Sequence, residues 1–548
     1  MVRPCLKAHP GTLAPSELEY TVSLTVSRHA PGASLRRAPN PGAPRSGAGL
    51  VTGLVLPLVL VSLVALVARL HGIDGKPYWM DEITTLRRSS LGFAGLVQDS
   101  LTFHHLPLYF VVSSWFVPFG LDERIMRLPA ALFGATSCAT LFLVGRSLGN
   151  WKSGFAAALL LALAPFQVQY GQEARSYTLV TTLILVGLWG LVLLARDPAA
   201  AALRWRAPGS AKAGWLLYGV GTALALDTLS VALFWLVAAN LGAAVIAARA
   251  PAIRRNFLRN WLLMQLIVLA LYLPFLVGMA VLTKGDMGSG LDWVPPVTAH
   301  SAWTTLQTVY LMRISSLIAF RIFPSSLDLL GVGWLGFVVA GLALYGLIAA
   351  LRRGLTGTIL AIALLTLPIG LAVSSIVSSV WMPRYLLWSG PIFFLLAGLG
   401  VIRLPARLQI PALLLLAALG VVNLLPYYRT ETKPLWNQAA AVLLHDRQPG
   451  DLVLTDDPGT VNMMNIYLAR KGQALTPNDW TTSVAAAAGR QAAGGRVWAV
   501  HGRVGQNDPY RLATFVDDLA PLGPDFLVRQ VGIDITMLVF SPQGAAAP

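Results

Sequence analysis

The sequence predicts an all-α polytopic membrane protein of about eleven transmembrane helices, followed by a small extracytoplasmic α/β domain at the C-terminal end. Three observations carry that expectation. Of 548 residues, 55% are hydrophobic and only 12% are charged, and the mean hydropathy is +0.63. Such a chain cannot solvate its own surface, so a bilayer must be its solvent. Nearly uncharged stretches of about 20 residues, enough helix to cross the hydrocarbon core, recur through the middle of the chain. They stop near residue 426, where composition changes.

In chain order, Met1–Ala48 is rich in Pro, Ala, Gly and Arg and has no apolar core. It reads as a disordered cytoplasmic tail or an over-extended start, and not as a cleavable signal peptide. The transmembrane domain, 49–426, contains apolar runs near 49–70, 125–145, 154–170, 176–195, 213–228, 231–248, 261–281, 331–351, 356–380, 385–402 and 408–426. With the N-terminus inside, the inner loops collect Arg146, Lys152, Arg196, Arg204, Arg206, Lys212, Arg249, Arg254, Arg255, Arg259, Arg352, Arg353, Arg403 and Arg407. The positive-inside rule therefore selects a plasma-membrane orientation with a cytoplasmic N-terminus and an extracytoplasmic C-terminal domain.

The acids take the other side. Asp74, Asp81, Glu82, Asp99, Asp122, Glu123, Glu173, Asp227, Asp286 and Asp292 fall on or near the outer face, and Asp197 lies inside. The positive-inside rule does not count acids, so this asymmetry needs another cause. The formal charge of +16 is spread in short clusters between apolar runs, which is a topology signal and argues against a nucleic-acid partner. Two cysteines, Cys5 and Cys138, exclude a disulfide framework and a Cys-rich zinc site.

Two outer loops are long. The first, 71–124, contains the apolar stretch Leu106–Phe119, too short to span and expected to lie in the interface or re-enter. The second, 282–330, carries Gly285, Gly288, Gly290 and a Trp293–Pro296 turn, then an amphipathic Trp303–Phe320 segment, and could cover a site. In 427–548, Asp451–Thr455, Arg496–His501 and Ile535–Phe540 read as buried strands between helices such as Leu435–His445.

Four outer-face motifs could carry chemistry. Tyr78-Trp79-Met80-Asp81-Glu82 follows the first run and sets two adjacent carboxylates beside two aromatic anchors. Neighbours on a helix point about 100° apart, so the two acids would face different partners. One could take a proton as general base while the other holds a metal or orients an acceptor; equally, both could be solvated acids at the start of a helix over Ile83–Ser89. Histidines 104 and 105 open the short apolar stretch, where they would bind a metal or phosphate, or form the polar edge of an aromatic belt.

Tyr170-Gly171-Gln172-Glu173-Ala174-Arg175-Ser176-Tyr177 packs an acid, a base, an amide and two tyrosines into one turn between two runs. That is costly near hydrocarbon unless it has a use, or unless Glu173 and Arg175 simply pair. Arg384, in Trp381-Met382-Pro383-Arg384-Tyr385, and Arg127 suit a phosphate headgroup, since guanidinium is always charged and bonds bidentately. Either could instead snorkel to lipid.

At these motifs the sequence resembles the membrane glycosyltransferases of the C superfamily (GT-C), in particular the protein O-mannosyltransferase and aminoarabinose-transferase-like group. The resemblance rests on Trp79-Met80-Asp81-Glu82, His105-Leu106-Pro107-Leu108-Tyr109, the stretch Arg127-Leu128-Pro129-Ala130-Ala131-Leu132-Phe133-Gly134, Gln172-Glu173-Ala174-Arg175-Ser176-Tyr177 and Pro383-Arg384-Tyr385-Leu386, in that order across 49–400. It implies transfer of a sugar from a polyprenyl-phosphate carrier to a glycan, lipid or protein acceptor outside the cytoplasm.

The resemblance further implies Asp81 as catalytic carboxylate with Glu82 and Glu173 as supporting acids, and a divalent metal at Asp81 and Glu173. Arg384, Arg127 and His105 would hold the donor phosphate, and Arg175, Tyr177 and Tyr385 would position substrate. Two departures stand out: Leu106 replaces the first proline of a usual pair, and Leu226-Asp227-Thr228 replaces a Thr-His-Tyr turn. A lipid-linked sugar transporter and a non-catalytic envelope scaffold are the rival readings. The one-sided acids and the lack of visible internal repeats weigh against the transporter.

Overall fold

A computed structural model describes residues 51–203, 209–284, 294, 296–312, 314–315, 322–323, 336–502, 509–532 and 534–543. The tail 1–48 and about half of the loop 282–330, including Gly285, Gly288, Gly290 and Trp293, lie outside the described residues. What is described of that loop includes a helix, Ala299–Tyr310, opened by a capping box between Thr298 and Ser301.

Each apolar run of the sequence corresponds to a helix. Seven are long and apolar enough to cross a membrane: Gly53–Leu70, Glu123–Ser147, Tyr177–Arg196, Ala232–Arg249, Pro251–Leu282, Leu355–Ser374 and Ala406–Arg429. The pair Trp151–Leu163 and Pro165–Gly171 makes an eighth, bent by 66°. Three further helices, Gly209–Leu226, Gly336–Arg352 and Ser389–Val401, are shorter or less apolar. The chain is thus a multi-pass membrane protein with seven or eight such helices among the described residues, fewer than the eleven the apolar runs predict. Of the other three, Gly209–Leu226 is diluted by Lys212 and its glycines, and Gly336–Arg352 and Ser389–Val401 have 17 and 13 described residues.

Exposure follows the solvent. On Pro251–Leu282 the residues Leu262, Leu266, Leu269 and Leu273 lie on one helical face and are about half exposed, which only lipid makes favourable. Where helices meet, glycines let backbones approach: a Cβ at Gly190 would collide with the Tyr218 backbone, and one at Gly346 with the Leu396 carbonyl.

The 66° bend has an identifiable cause. Pro165 cannot donate a backbone hydrogen bond and begins a new helix, so the turn before it loses a partner. Arg69, buried at the end of the first span, fills the gap. Its guanidinium donates to the carbonyls of Ala65 (3.1 Å), Ala162 (3.4 Å) and Gln167 (3.5 Å). Side chains at Gly134 or Gly171 would overlap it.

The predicted short stretch Leu106–Phe119 is broken in two, a helix Leu108–Ser114 and a 3-10 turn Val117–Phe119. Neither is long enough to span. Beyond the last span, a helix Trp436–Asp446 leads into a five-stranded sheet: β1 (Leu452–Thr455), β2 (Trp480–Thr481), β3 (Val497–Gly502), β4 (Phe526–Val531) and β5 (Ile535–Phe540). Its order is β2-β1-β3-β5-β4; β1 pairs in parallel with β2 and β3, and the β3-β5 and β5-β4 pairs are antiparallel. Three strands match the sequence expectation within one residue at either end. The two missed are both at edges: β2 has two residues, and β4 carries exposed Arg529 and Gln530 that break an apolar run.

Candidate active site

Asp122 caps the second span by accepting from the backbone N–H groups of Arg124 and Ile125. One turn in, this places Arg127 beneath the loop that leaves the first span. All five guanidinium N–H groups of Arg127 are used. Nη1 donates to the carbonyls of Ile73 (2.7 Å) and Lys76 (2.9 Å), and Nη2 to that of Pro77 (3.1 Å). Nε and Nη2 then grip Glu82 bidentately at 2.7 and 2.9 Å.

The helix Met80–Ser89 starts directly after this anchored loop and carries both acids in its first turn. Adjacent positions diverge, and the two carboxylates reach different partners. Glu82 points inward at 0% exposure, bonded to Arg127, to Lys433 Nζ at 2.7 Å and to the Ala174 N–H at 3.0 Å. Asp81 stays at the surface of this cluster, with its side chain 26% exposed. Arg384 Nη1 donates to its Oδ2 at 3.2 Å, and Arg175 Nε lies 3.8 Å from the same oxygen. Arg175 also donates to the Asp81 carbonyl at 3.3 Å.

Glu173, in the turn between the bent pair and the next span, is buried. Its oxygens accept from Trp79 Nε1 at 2.6 Å and from Lys433 at 3.0 Å. It does not pair with Arg175. Lys433 thus divides one ammonium between two buried carboxylates. Gln172 beside it donates to the carbonyls of Arg69 (3.0 Å) and His71 (2.7 Å) and accepts from Tyr427 (2.8 Å), fixing the turn to the first and last spans.

These surroundings separate the three acids. Burial alone would raise the Glu82 carboxyl, but the charges and hydrogen bonds of Arg127 and Lys433 overcome it and hold it at about 2. Burial raises Glu173 to about 7, with Lys433 opposing and Glu82 adding to the rise. At Asp81 the loss of water is outweighed by Arg175 and Arg384, which keep the carboxyl below its usual range.

The aromatic frame is continuous. Arg384 lies over Trp79 (5.8 Å) and Tyr385 (5.7 Å). Tyr177 is buried edge-on to Tyr170 at 5.0 Å. His105 packs against Phe110, and its Nδ1 lies 2.6 Å from the Phe103 carbonyl. Burial, reinforced by Arg175, lowers its pKa to about 3, so the ring is neutral near pH 7.

The predicted motifs therefore converge, with two exceptions in what each residue can do. Arg127 has no N–H left for a phosphate, and His105 carries no resident charge. Among the described residues no three His, Cys, Asp or Glu side chains converge, and each acid already faces at least one cation.

Sequence reasoning missed Lys433, Trp79 as a hydrogen-bond donor, and Lys76. Lys76 donates to the Thr430 carbonyl and lies 5.0 Å from the Tyr427 ring. Burial and the nearby Lys433 charge lower it to about 8. The available signal for Lys433 was an isolated Thr432-Lys433-Pro434 just past the last span, on the acid-rich face.

Solved structures share this fold at low sequence identity. ArnT of Cupriavidus metallidurans in the apo state superposes with a TM-score of 0.55 and 14% identity, over 89% of this chain and 98% of that one. The same protein bound to undecaprenyl phosphate gives 0.54 and 14%, over 92% and 100%. The archaeal oligosaccharyltransferase AglB of Archaeoglobus fulgidus, in complex with Zn and sulfate, gives 0.50 and 12%, over 89% and 73%. No protein-family model and no curated protein matches the sequence.

Proposed function

We propose that this protein transfers a sugar from a polyprenyl-phosphate donor to an acceptor hydroxyl on the extracytoplasmic side, by inverting displacement with Asp81 as general base. The observation that carries the proposal is one partly exposed carboxylate facing two guanidiniums, in a fold shared with a protein crystallised on undecaprenyl phosphate. A lipid-linked donor keeps its tail in the bilayer and its phosphate at the interface, where Arg384 and Arg175 lie. Asp81 takes the acceptor proton, the hydroxyl oxygen attacks the anomeric carbon, and the bond to the phosphate breaks. The phosphate departs with the electron pair, onto the guanidiniums. One carboxylate suffices, because a single displacement needs no second one as nucleophile.

The other predicted residues take supporting roles. Glu82 and Arg127 hold the loop and helix that present Asp81. Glu173 and Lys433 join that frame to the chain beyond the last span. Tyr177 and Tyr385 flank Arg384, and His105 stands near Asp81 as a neutral donor or acceptor. No step is assigned to a metal: Asp81, Glu82 and Glu173 each already face a cationic side chain.

Mass spectrometry of envelope lipids from cells lacking the protein tests the reading. One polyprenyl-phosphate sugar should accumulate and fall again when the wild-type protein is restored, but not with Asp81→Asn. Normal levels of every such lipid in the absence of the protein would contradict it.

A further inference from the structure

Oxygen Oδ2 of Asp81 is the acceptor on which both site guanidiniums converge, at 3.2 Å for Arg384 and 3.8 Å for Arg175. Both arginines are buried while the carboxylate is partly exposed, so the cations have little water to turn to. Each nevertheless has geometry for another anion. Arg384 is held by the faces of Trp79 and Tyr385 independently of Asp81, and Arg175 is tied by its N–H to the Asp81 carbonyl as well as by charge to the side chain. A carboxylate bound this way is a poor base, because two guanidiniums offset its negative charge and one of them hydrogen-bonds its Oδ2.

We propose that Asp81 is locked by Arg384 and Arg175 until a phosphate takes the guanidiniums from it, so that donor binding itself releases the base. This rests on the function proposed above and adds an order of events. The phosphodiester of the donor displaces the carboxylate from the two arginines. Asp81, free of them and now next to an added negative charge, becomes more basic and accepts the acceptor proton. When the sugar has left, the phosphate on the carrier gains a second negative charge and binds the arginines more tightly than the donor did. Re-formation of the Asp81 contacts as the carrier leaves then resets the site. The device would also keep an ionised base from activating water while no donor is present.

Competition for the same two cations gives the test. Binding of undecaprenyl phosphate to the purified full-length protein is measured for the wild type, Asp81→Asn and Asp81→Ala, each also in an Arg175→Ala, Arg384→Ala background. Removing the carboxylate should tighten binding by about tenfold, equivalent to ~1.4 kcal/mol, and the gain should vanish when both arginines are absent. The two Asp81 variants provide the same comparison if one of them does not fold. Unchanged or weaker binding in the Asp81 variants overturns the lock. A gain that persists without the arginines also overturns it, because that is plain charge repulsion. A wild-type protein that does not bind undecaprenyl phosphate would instead contradict the function on which the inference rests.

Discussion

Lys433 carries more of the site than its position suggests. It bonds Glu82 and Glu173 at 2.7 and 3.0 Å from a buried position, so Lys433→Met would leave two carboxylates to one arginine. Removing one partner of a buried pair costs about 3–5 kcal/mol. Thermal or denaturant unfolding in detergent should show a loss of that size, and a change under about 1 kcal/mol, as for a surface pair, would contradict the assignment. The same cluster sets a pH dependence. The folded state raises Glu173 from 4.5 to about 7, so across that window it holds a proton the unfolded chain has released, and stability falls as pH rises. Glu173→Gln should flatten this fall. Glu82 works in the opposite sense, since its depressed value of about 2 adds stability above 4.5 that is lost on acidification.

At this scale the sequence was legible where chemistry repeats in motifs. Asp81, Glu82, Glu173, Arg175 and Arg384 all stand out, and the divergence of Asp81 from Glu82 follows from helical geometry. The structural use of Arg127 was hidden, because its five acceptors are mostly backbone carbonyls that leave no mark in a sequence. Lys433 was hidden because it lies 351 residues from Glu82.

Among the elements, the bent pair Trp151–Leu163 and Pro165–Gly171 matters most, since the Glu173–Arg175 turn begins where it ends. Its bend is held by Arg69, which has no carboxylate within ion-pair distance among the described residues and donates only to carbonyls. Arg69→Leu should cost about 1–3 kcal/mol through carbonyls left unpaired in a dry site. It should also lower transfer by misplacing the turn, measured as reduced kcat in a reconstituted assay. A stable variant of full activity would show that the bend needs no cap. Pro165 announced a break in the sequence, but the apolar run around it reads as one span. Hydropathy gives composition along the chain and says nothing of direction. Edge strands β2 and β4 were missed for a related reason: only one side of each is paired, so little apolar pattern is required.

For the whole molecule, orientation is the proposal that gives the site its side of the membrane. Val528 on β4 is exposed, and the chain has only two native cysteines, Cys5 and Cys138, of which Cys138 is buried. In a Cys5→Ala background, Val528→Cys should react with a membrane-impermeant maleimide added outside intact cells whose inner membrane is accessible. Labelling only after lysis would reverse the topology. Through composition, which acts over whole segments, the sequence made the multi-pass helical class legible, and through charge asymmetry it predicts the orientation that the labelling tests. It could not give the docking of the last 120 or so residues on the site, because that depends on side-chain contacts such as Tyr467 and Arg470 with Glu123 at 2.9 and 3.0 Å.

The most direct test of the central claim is sugar transfer by purified protein in proteoliposomes, supplied with the polyprenyl-phosphate sugar that accumulates in its absence. Wild-type protein should release the polyprenyl phosphate as the acceptor gains the sugar. Asp81→Asn, folded and still binding the lipid, should reduce the rate by 10²-fold or more, roughly what a general base contributes. Transfer by Asp81→Asn at the wild-type rate would contradict the account.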